Sequence, residues 1–193
     1  MRISGGRARG IPLRVPKGDA VRPATDGMRQ AVFSSVAARV EGGCFLDLFA
    51  GSGAYGLEAL SRGAAGGVFV EKNAKAIGCL RANIASVCKS LGCDEAVVRV
   101  DQGDALKPRV FDEATRPGLV FVDPPYEIIE SVAPALFAML SETLAEKADP
   151  VIVFEMPGEI TLAPEGWTAV RRLGKGVRQP TVVFFRKTVA VGK

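Results

Sequence analysis

The hydrophobic pattern along the chain switches period repeatedly. Short apolar runs of strand length alternate with stretches in which apolar residues recur every three or four positions. Met28, Val32, Val36 and Val40 fall at i, i+4, i+8 and i+12, one face of a helix that Thr25 or Asp26 can cap and Gly42-Gly43 can end. CFLDLFA (44–50) then reads as a strand, 55–62 as a short helix closed by Gly63, and GVFVE (67–71) as a second strand. A helix over 73–90 leads to a third strand, AVVRV (96–100), and LVFVD (119–123) is a fourth. The stripe Ile129, Val132, Leu136, Met139, Leu140 and Leu144 predicts a helix over 128–146, followed by PVIVFE (150–155) as a fifth strand. WTAVRRL (167–173) and TVVFFRK (181–187) read as a closing antiparallel pair. Residues 1–24, with three close glycines and three prolines, follow neither period and suit a hairpin or extended arm.

Strands alternating with helices make a mostly parallel sheet with helices on both faces. The expected fold is α/β: a doubly wound, seven-stranded, Rossmann-like sheet fronted by a basic N-terminal arm or hairpin. Residues 1–40 supply the arm and first helix, and 41–193 the core, one domain overall. A chain of 193 residues can bury roughly 70% of its unfolded surface in a single unit. In such sheets ligands bind beyond the carboxyl ends of the strands, where strand order switches.

Two polar interruptions fall there. Gly51-Ser52-Gly53-Ala54-Tyr55-Gly56 follows the first strand and opens a helix. This G-x-G-x-x-G turn lets a ligand approach the backbone at a helix N-terminus. Glu71 closes the second strand 20 residues after Gly51, where a carboxylate can accept both hydrogen bonds of a ribose diol. Asp104, with Ala105 beside it, follows the third strand near a loop where an adenine edge can be read. A nicotinamide or flavin dinucleotide and S-adenosylmethionine both fit this set, because both carry adenosine.

The fourth strand separates them. It stops at Asp123-Pro124-Pro125-Tyr126, since two prolines lack N–H groups and fix φ, and each holds the residue before it extended. One carboxylate, bare backbone carbonyls and an aromatic ring are left side by side. Asp123 and the Pro124 carbonyl can accept the two hydrogens of a nucleobase exocyclic amine while Tyr126 stacks on the ring. Truncating such a stack costs about 1–3 kcal/mol. A dehydrogenase needs a proton donor and a substrate domain, whereas this chain has no histidine and no length for a second domain. The methyl donor is the better fit.

Composition narrows the field further. Apolar residues at 48% and charged ones at 24% are ordinary for a soluble chain, and no apolar run reaches the length of a membrane span. The Arg-rich start lacks the apolar stretch of a secretory signal. The lack of histidine excludes Ser-His-Asp and Cys-His catalysis and, with Cys44, Cys79, Cys88 and Cys93 out of C-x-x-C spacing, argues against a Cys/His zinc site. A cytoplasmic protein working without a metal is expected. Charge is lopsided: residues 1–40 carry eight basic side chains against Asp19 and Asp26, a balance of +6, while the remainder sums to −2. A basic arm on a mildly acidic body points to a polyanion docked by the N-terminus.

Several segments, taken in order, resemble one family. RISGGRARGIPLRVP (2–16), VRPATDGMRQAVFSSV (21–36), LDLFAGSGAYGLEALSRGA (46–64), VEKN (70–73) and FVDPPY (121–126) are similar to the bacterial 16S ribosomal RNA guanine-N2 methyltransferases of the RsmD type. The resemblance implies S-adenosylmethionine bound by Phe49, Ala50, Gly51, Ser52 and Gly53, with Glu71 on the ribose and Asp104 and Ala105 near the adenine. It also implies a catalytic corner of Asp123, Pro124, Pro125 and Tyr126, and a guanine in 16S rRNA met within an assembling 30S particle. Arg7, Arg9, Arg22 and Arg29 would then face RNA, and a monomer would suffice. The chain departs from the family at Arg22-Pro23-Ala24-Thr25-Asp26-Gly27, where relatives carry R-P-T-x-D-R, and at Gly174–Pro180. Competing readings are an adenine-N6 nucleic-acid methyltransferase, a protein-glutamine methyltransferase, an NAD-binding oxidoreductase and a non-catalytic RNA-binding assembly factor.

Overall fold

The computed structural model describes residues 1–16, 25–147, 149–174, 176 and 179–188. In chain order the elements are α1 (Asp26–Val40), β1 (Cys44–Leu48), α2 (Ala54–Ser61), β2 (Gly66–Glu71), α3 (Ala74–Leu91), β3 (Val98–Gln102), β4 (Leu119–Val122), α4 (Ile129–Thr143), β5 (Val151–Pro157), β6 (Trp167–Leu173) and β7 (Pro180–Lys187). The strands form one sheet in the order β3-β2-β1-β4-β5-β7-β6. β1 to β5 are parallel, and β7 inserts antiparallel between β5 and β6. Chain order therefore reverses between β1 and β4, and the two polar interruptions flank that point.

Strand side chains alternate faces, so each strand feeds two cores. Phe45, Phe69, Phe121, Val153 and Phe184 pack beneath α1, α2 and α3, while Leu46, Val70, Val120, Phe154 and Phe185 pack beneath α4. Phe121 is the hub of the first core, with ring centroids 5.5 Å from Phe33 and 5.2 Å from Tyr55, the latter stacked.

The element order follows the hydrophobic pattern, and several boundaries move for local reasons. Thr25 caps α1, its Oγ1 accepting from Met28 N at 3.2 Å. β1 ends at Leu48 rather than residue 50, because Phe49 turns to φ 59°. β3 starts at Val98 rather than residue 96: Asp94 accepts from Ala96 N at 2.8 Å and winds 95–97 into a 3₁₀ turn. After the two prolines, Tyr126–Ile128 forms a further 3₁₀ turn, so α4 begins at Ile129, and it stops at Thr143. β5 runs on to Pro157. In α4, Ala133 and Phe137 join Leu136 and Leu140 in the buried stripe, and Val132 is only half-buried.

Residues 1–13 form the expected hairpin, with Ile3 N donating to Ile11 O and Gly10 N to Ile3 O, both at 2.9 Å. Ile3, Ala8 and Leu13 are buried in the first core. Ser4 N and Oγ donate to the buried Glu58 at 2.7 and 2.9 Å, and Asn83 exchanges hydrogen bonds with the backbone of Arg14. Among the described residues no helix is long and apolar enough to cross a membrane.

Candidate active site

Three strand ends build the site. At the end of β1 the chain must leave the sheet and enter α2 within five residues, and it does so through left-handed backbone at Phe49 (φ 59°), Gly51 (φ 54°) and Gly53 (φ 82°). Such a conformation at a phenylalanine costs of order 1–3 kcal/mol and survives where the surroundings enforce it. Here Ala50 N donates to Val70 O at 3.0 Å and Gly53 N to Ala50 O at 2.7 Å. A Cβ on Gly51 would meet nothing nearer than 3.9 Å, so the space above it is open to a ligand. A Cβ on Gly56 would lie 2.3 Å from Phe69, so that glycine lets α2 press onto the sheet.

Glu71 is placed before any ligand arrives. Its Oε2 accepts from Gly51 N and its Oε1 from Asn73 N, each at 2.8 Å, and the half-buried carboxylate keeps lone pairs to spare. Gly103 N donates to Glu71 O at 3.0 Å, which draws the loop after β3 against the end of β2. Asp104 on that loop is exposed, its Oδ1 accepting from Leu106 N at 2.9 Å, and Ala105 is buried beside it. Ser52 is buried, and its carbonyl accepts from Asn83 at 2.9 Å. The glycine turn, Glu71 and the 104–105 loop thus line one edge of the sheet, and their donor set fits an adenosine-bearing ligand.

On the other side of the switch stands the proline corner. The register pairs Leu48 with Val122 and Val122 with Phe154, so Asp123 extends one residue beyond, between the glycine turn and β5. Pro124 is buried, Pro125 is exposed, and Tyr126 is 37% exposed. Burial pushes the Asp123 carboxyl well above the usual carboxylate range, and the charges of Glu155 and Asp47 add to the effect. Burial also pushes the Tyr126 hydroxyl up. Asp47, 2% exposed, accepts from Gly56 N at 2.9 Å and is pushed up to about 8, chiefly by burial.

Sequence reasoning passed over three buried groups here. Asp47 and Glu155 lie within apolar strands and Tyr55 within the glycine turn. Glu155 is 1% exposed and accepts from the Tyr55 hydroxyl at 2.7 Å. The readable signal was parity: Asp47, Asp123 and Glu155 each stand two residues after a core residue, Phe45, Phe121 and Val153.

The basic residues are not equivalent. Arg7 and Arg9 are exposed on the hairpin, with Arg7 also donating to Leu91 O at 3.1 Å. Arg29, expected to face RNA, is 1% exposed and cannot present its charge at the surface. It donates to Asp26 Oδ1 at 2.6 Å and to Arg2 O at 2.8 Å, because its position on α1 shares the buried face with Val32, Phe33 and Val36. Arg22 and the departure at Ala24 lie outside the described residues, as do Lys175, Val177 and Arg178 of the 174–180 stretch. Gly27 is exposed at the start of α1. Among the described residues no cluster of His, Cys, Asp and Glu is arranged to hold a metal ion. A cavity of about 790 Å³ between α4 and residues 162–166 involves none of the groups above.

The chain is similar to known proteins along most of its length. The family model described as conserved hypothetical protein 95 matches residues 1–184. The chain is 35% identical over 162 residues to the Bacillus subtilis protein named "Putative rRNA methyltransferase YlbH", covering 84% of this chain and 85% of that one. It is 33% identical over 174 residues to ribosomal RNA small subunit methyltransferase D of Escherichia coli K12, covering 89% and 83%. Among solved structures, "Putative methyltransferase yhhF" from Escherichia coli superposes with a TM-score of 0.78 at 30% identity, covering 98% of this chain and 99% of that one.

Proposed function

The chain belongs to the conserved hypothetical protein 95 family, whose members include ribosomal RNA small subunit methyltransferase D, and we propose that it methylates the exocyclic N2 amine of a guanine in 16S ribosomal RNA with S-adenosylmethionine as donor. The observation that carries this reading is the juxtaposition of the glycine turn with Asp123-Pro124-Pro125-Tyr126 across the switch in strand order.

The donor supplies a methyl carbon on a sulfonium, an activated electrophile with a good leaving group, so the chain's residues have mainly to position and to shape charge. Backbone at Phe49 to Gly53 and the Glu71 carboxylate hold the adenosine half, with Asp104 and Ala105 along the base. An exocyclic amine is a weak nucleophile because its lone pair is delocalised into the ring. Asp123 and the Pro124 carbonyl accept its two hydrogens, favour a pyramidal nitrogen and aim the lone pair at the methyl carbon. Tyr126, partly exposed at the mouth, stacks on a base that has left its own stack. Once the carbon–nitrogen bond forms, the nitrogen gives its surplus proton to Asp123 Oδ or to water.

Arg7 and Arg9 on the exposed hairpin present cations to the RNA backbone, so the arm docks and the strand ends react. The relatives' names favour ribosomal RNA over DNA, and an assembling particle in the cytoplasm is the natural place to find it. A single copy carries every group invoked. The test is transfer of labelled methyl to small-subunit particles lacking the modification, with free 16S rRNA and duplex DNA alongside. Transfer to a guanine of the particle is expected; label on adenine, or on DNA alone, overturns the assignment. Titration with S-adenosylhomocysteine against NADH separates this reading from an oxidoreductase.

A further inference from the structure

We propose that Glu155, kept charged by Tyr55 and Arg29, holds the Asp123 carboxyl protonated until a cationic group arrives beside it. The inference rests on the methyl-transfer reading, since that cation is the donor's sulfonium. Glu155 is then a positioning residue for the charge of Asp123.

Geometry makes the two acids a pair. They stand one residue beyond the paired Val122 and Phe154 on adjacent parallel strands, and so share the face beneath α1 and α2. Burial raises the Glu155 pKa on balance, but the Tyr55 hydroxyl, donating at 2.7 Å, and the cation of Arg29 both pull it back toward the charged form. Arg29 is itself fixed by Asp26 and the Arg2 carbonyl. The Tyr55 ring is stacked on Phe121, two residues before Asp123. Among the described residues no side chain donates a hydrogen bond to Asp123. Facing groups are Asp47 on β1, Tyr55 on α2, Tyr126 after β4 and Glu155 on β5, while the cation of α1, Arg29, acts on Glu155 and Tyr55.

Two neighbouring carboxyls, Glu155 buried and Asp123 half-buried, titrate as a pair, and the first charge settles where the donors are. That place is Glu155. A second charge on Asp123 is opposed by burial and by the charge on Glu155 until a cation lies alongside. The sulfonium provides one, the Asp123 proton leaves to solvent, and the new carboxylate accepts the amine hydrogens. After transfer, the proton from the alkylated nitrogen returns to Asp123, and the thioether product is uncharged at sulfur. The cycle closes with Asp123 neutral again.

Calorimetric titration of the full chain at pH 7 in buffers of differing ionisation enthalpy counts the protons released on binding. S-adenosylmethionine should release up to about one proton more than S-adenosylhomocysteine, because the ligands differ in charge only at sulfur. Glu155→Gln and Asp123→Asn should each abolish that difference, and Tyr55→Phe should reduce it. Equal release by both ligands from the natural chain overturns the proposal, as does a difference that persists in Glu155→Gln. Persistence in Asp123→Asn puts the proton on another group such as Asp47 and also overturns it. If Glu155→Gln does not fold, Tyr55→Phe decides alone, and an unchanged difference is then the refuting result. Binding and transfer without the proton difference sink only this inference; failure to bind either ligand sinks the donor assignment itself.

Discussion

Asp123→Asn separates catalytic from structural importance, because it should lower activity and raise stability together. The substitution keeps shape and removes one charge. If Asp123 accepts an amine hydrogen in the transition state, exchanging a charged acceptor for a neutral one costs about 3 kcal/mol, or roughly 10²-fold in single-turnover transfer. Affinity for S-adenosylhomocysteine should stay within about threefold if, as proposed, the glycine turn and Glu71 carry that ligand. The stability effect has the opposite sign. Burial and the charges of Glu155 and Asp47 raise the Asp123 pKa on folding, so the folded chain holds its proton where the unfolded chain has lost it. That arrangement makes the carboxyl increasingly costly as pH rises. The amide escapes the cost, and a gain of about 1 kcal/mol would lift the melting temperature by roughly 2–4 °C, more at pH 8 than at pH 5. Rapid-quench transfer, calorimetry and thermal melts are the assays. Equal losses of transfer and ligand affinity would put the carboxylate in the donor site, and a lower melting temperature at both pH values would make it structural.

Reversing Arg7 and Arg9 to Glu should weaken binding to rRNA and flatten its salt dependence by about two counterions, leaving S-adenosylhomocysteine affinity intact; unchanged RNA affinity would remove the hairpin from the interface. Glu71→Ala strips partners from two backbone N–H groups as well as from the ribose, so S-adenosylhomocysteine affinity should fall by about 10²-fold, read by calorimetry. Melting temperature should decline from pH 5 to pH 8, because Asp47, pushed up to about 8 by burial, stabilises the fold below its ordinary pKa and loses that contribution as pH rises through 8. Asp47→Asn should flatten the decline while still accepting from Gly56 N, and an unaltered slope would refute the assignment. In the other direction, Arg2 and Arg39 hold Asp26 and Asp149 below the usual range, so stability should also fall as pH drops through those groups.

Local chemistry was readable from the chain wherever the contacts concerned are close in sequence. The glycine turn, the proline stop and the Thr25 cap are decided within a few residues, and each lies where the pattern put it. The β3 boundary failed for the same kind of reason, since Asp94 offers its own turn a cap before the strand can begin. Arg29 was misjudged through the choice of stripe. Starting from Met28 gives a face ending at Val40, but the wider buried face runs through Arg29, Val32, Phe33 and Val36, and only the packed Phe33 reveals it. Glu155 and Tyr55 are 100 positions apart, so their hydrogen bond was illegible until the sheet order placed β5 beside β4.

The distribution of buried polar groups explains how one small sheet can carry an unfavourable site. Ser4, Arg29, Asp47, Ser52, Glu58, Ser61, Asn83 and Glu155 all lie with the hairpin, α1, α2, α3 or the strand ends on their side. Beneath α4 the second core is aliphatic and aromatic, with Thr181 its buried polar member. Burying ionisable groups is costly unless they are paired and hydrogen-bonded. On the first face the pairing is supplied largely by the arm: Arg2 holds Asp26, Asp26 holds Arg29, and Ser4 holds Glu58. The basic segment that composition marks as a nucleic-acid contact is therefore also part of what keeps the strand-end carboxylates tolerable. An apolar second face, needing no such compensation, leaves the stability margin from which Asp47, Asp123 and Glu155 can remain together at one end of the sheet.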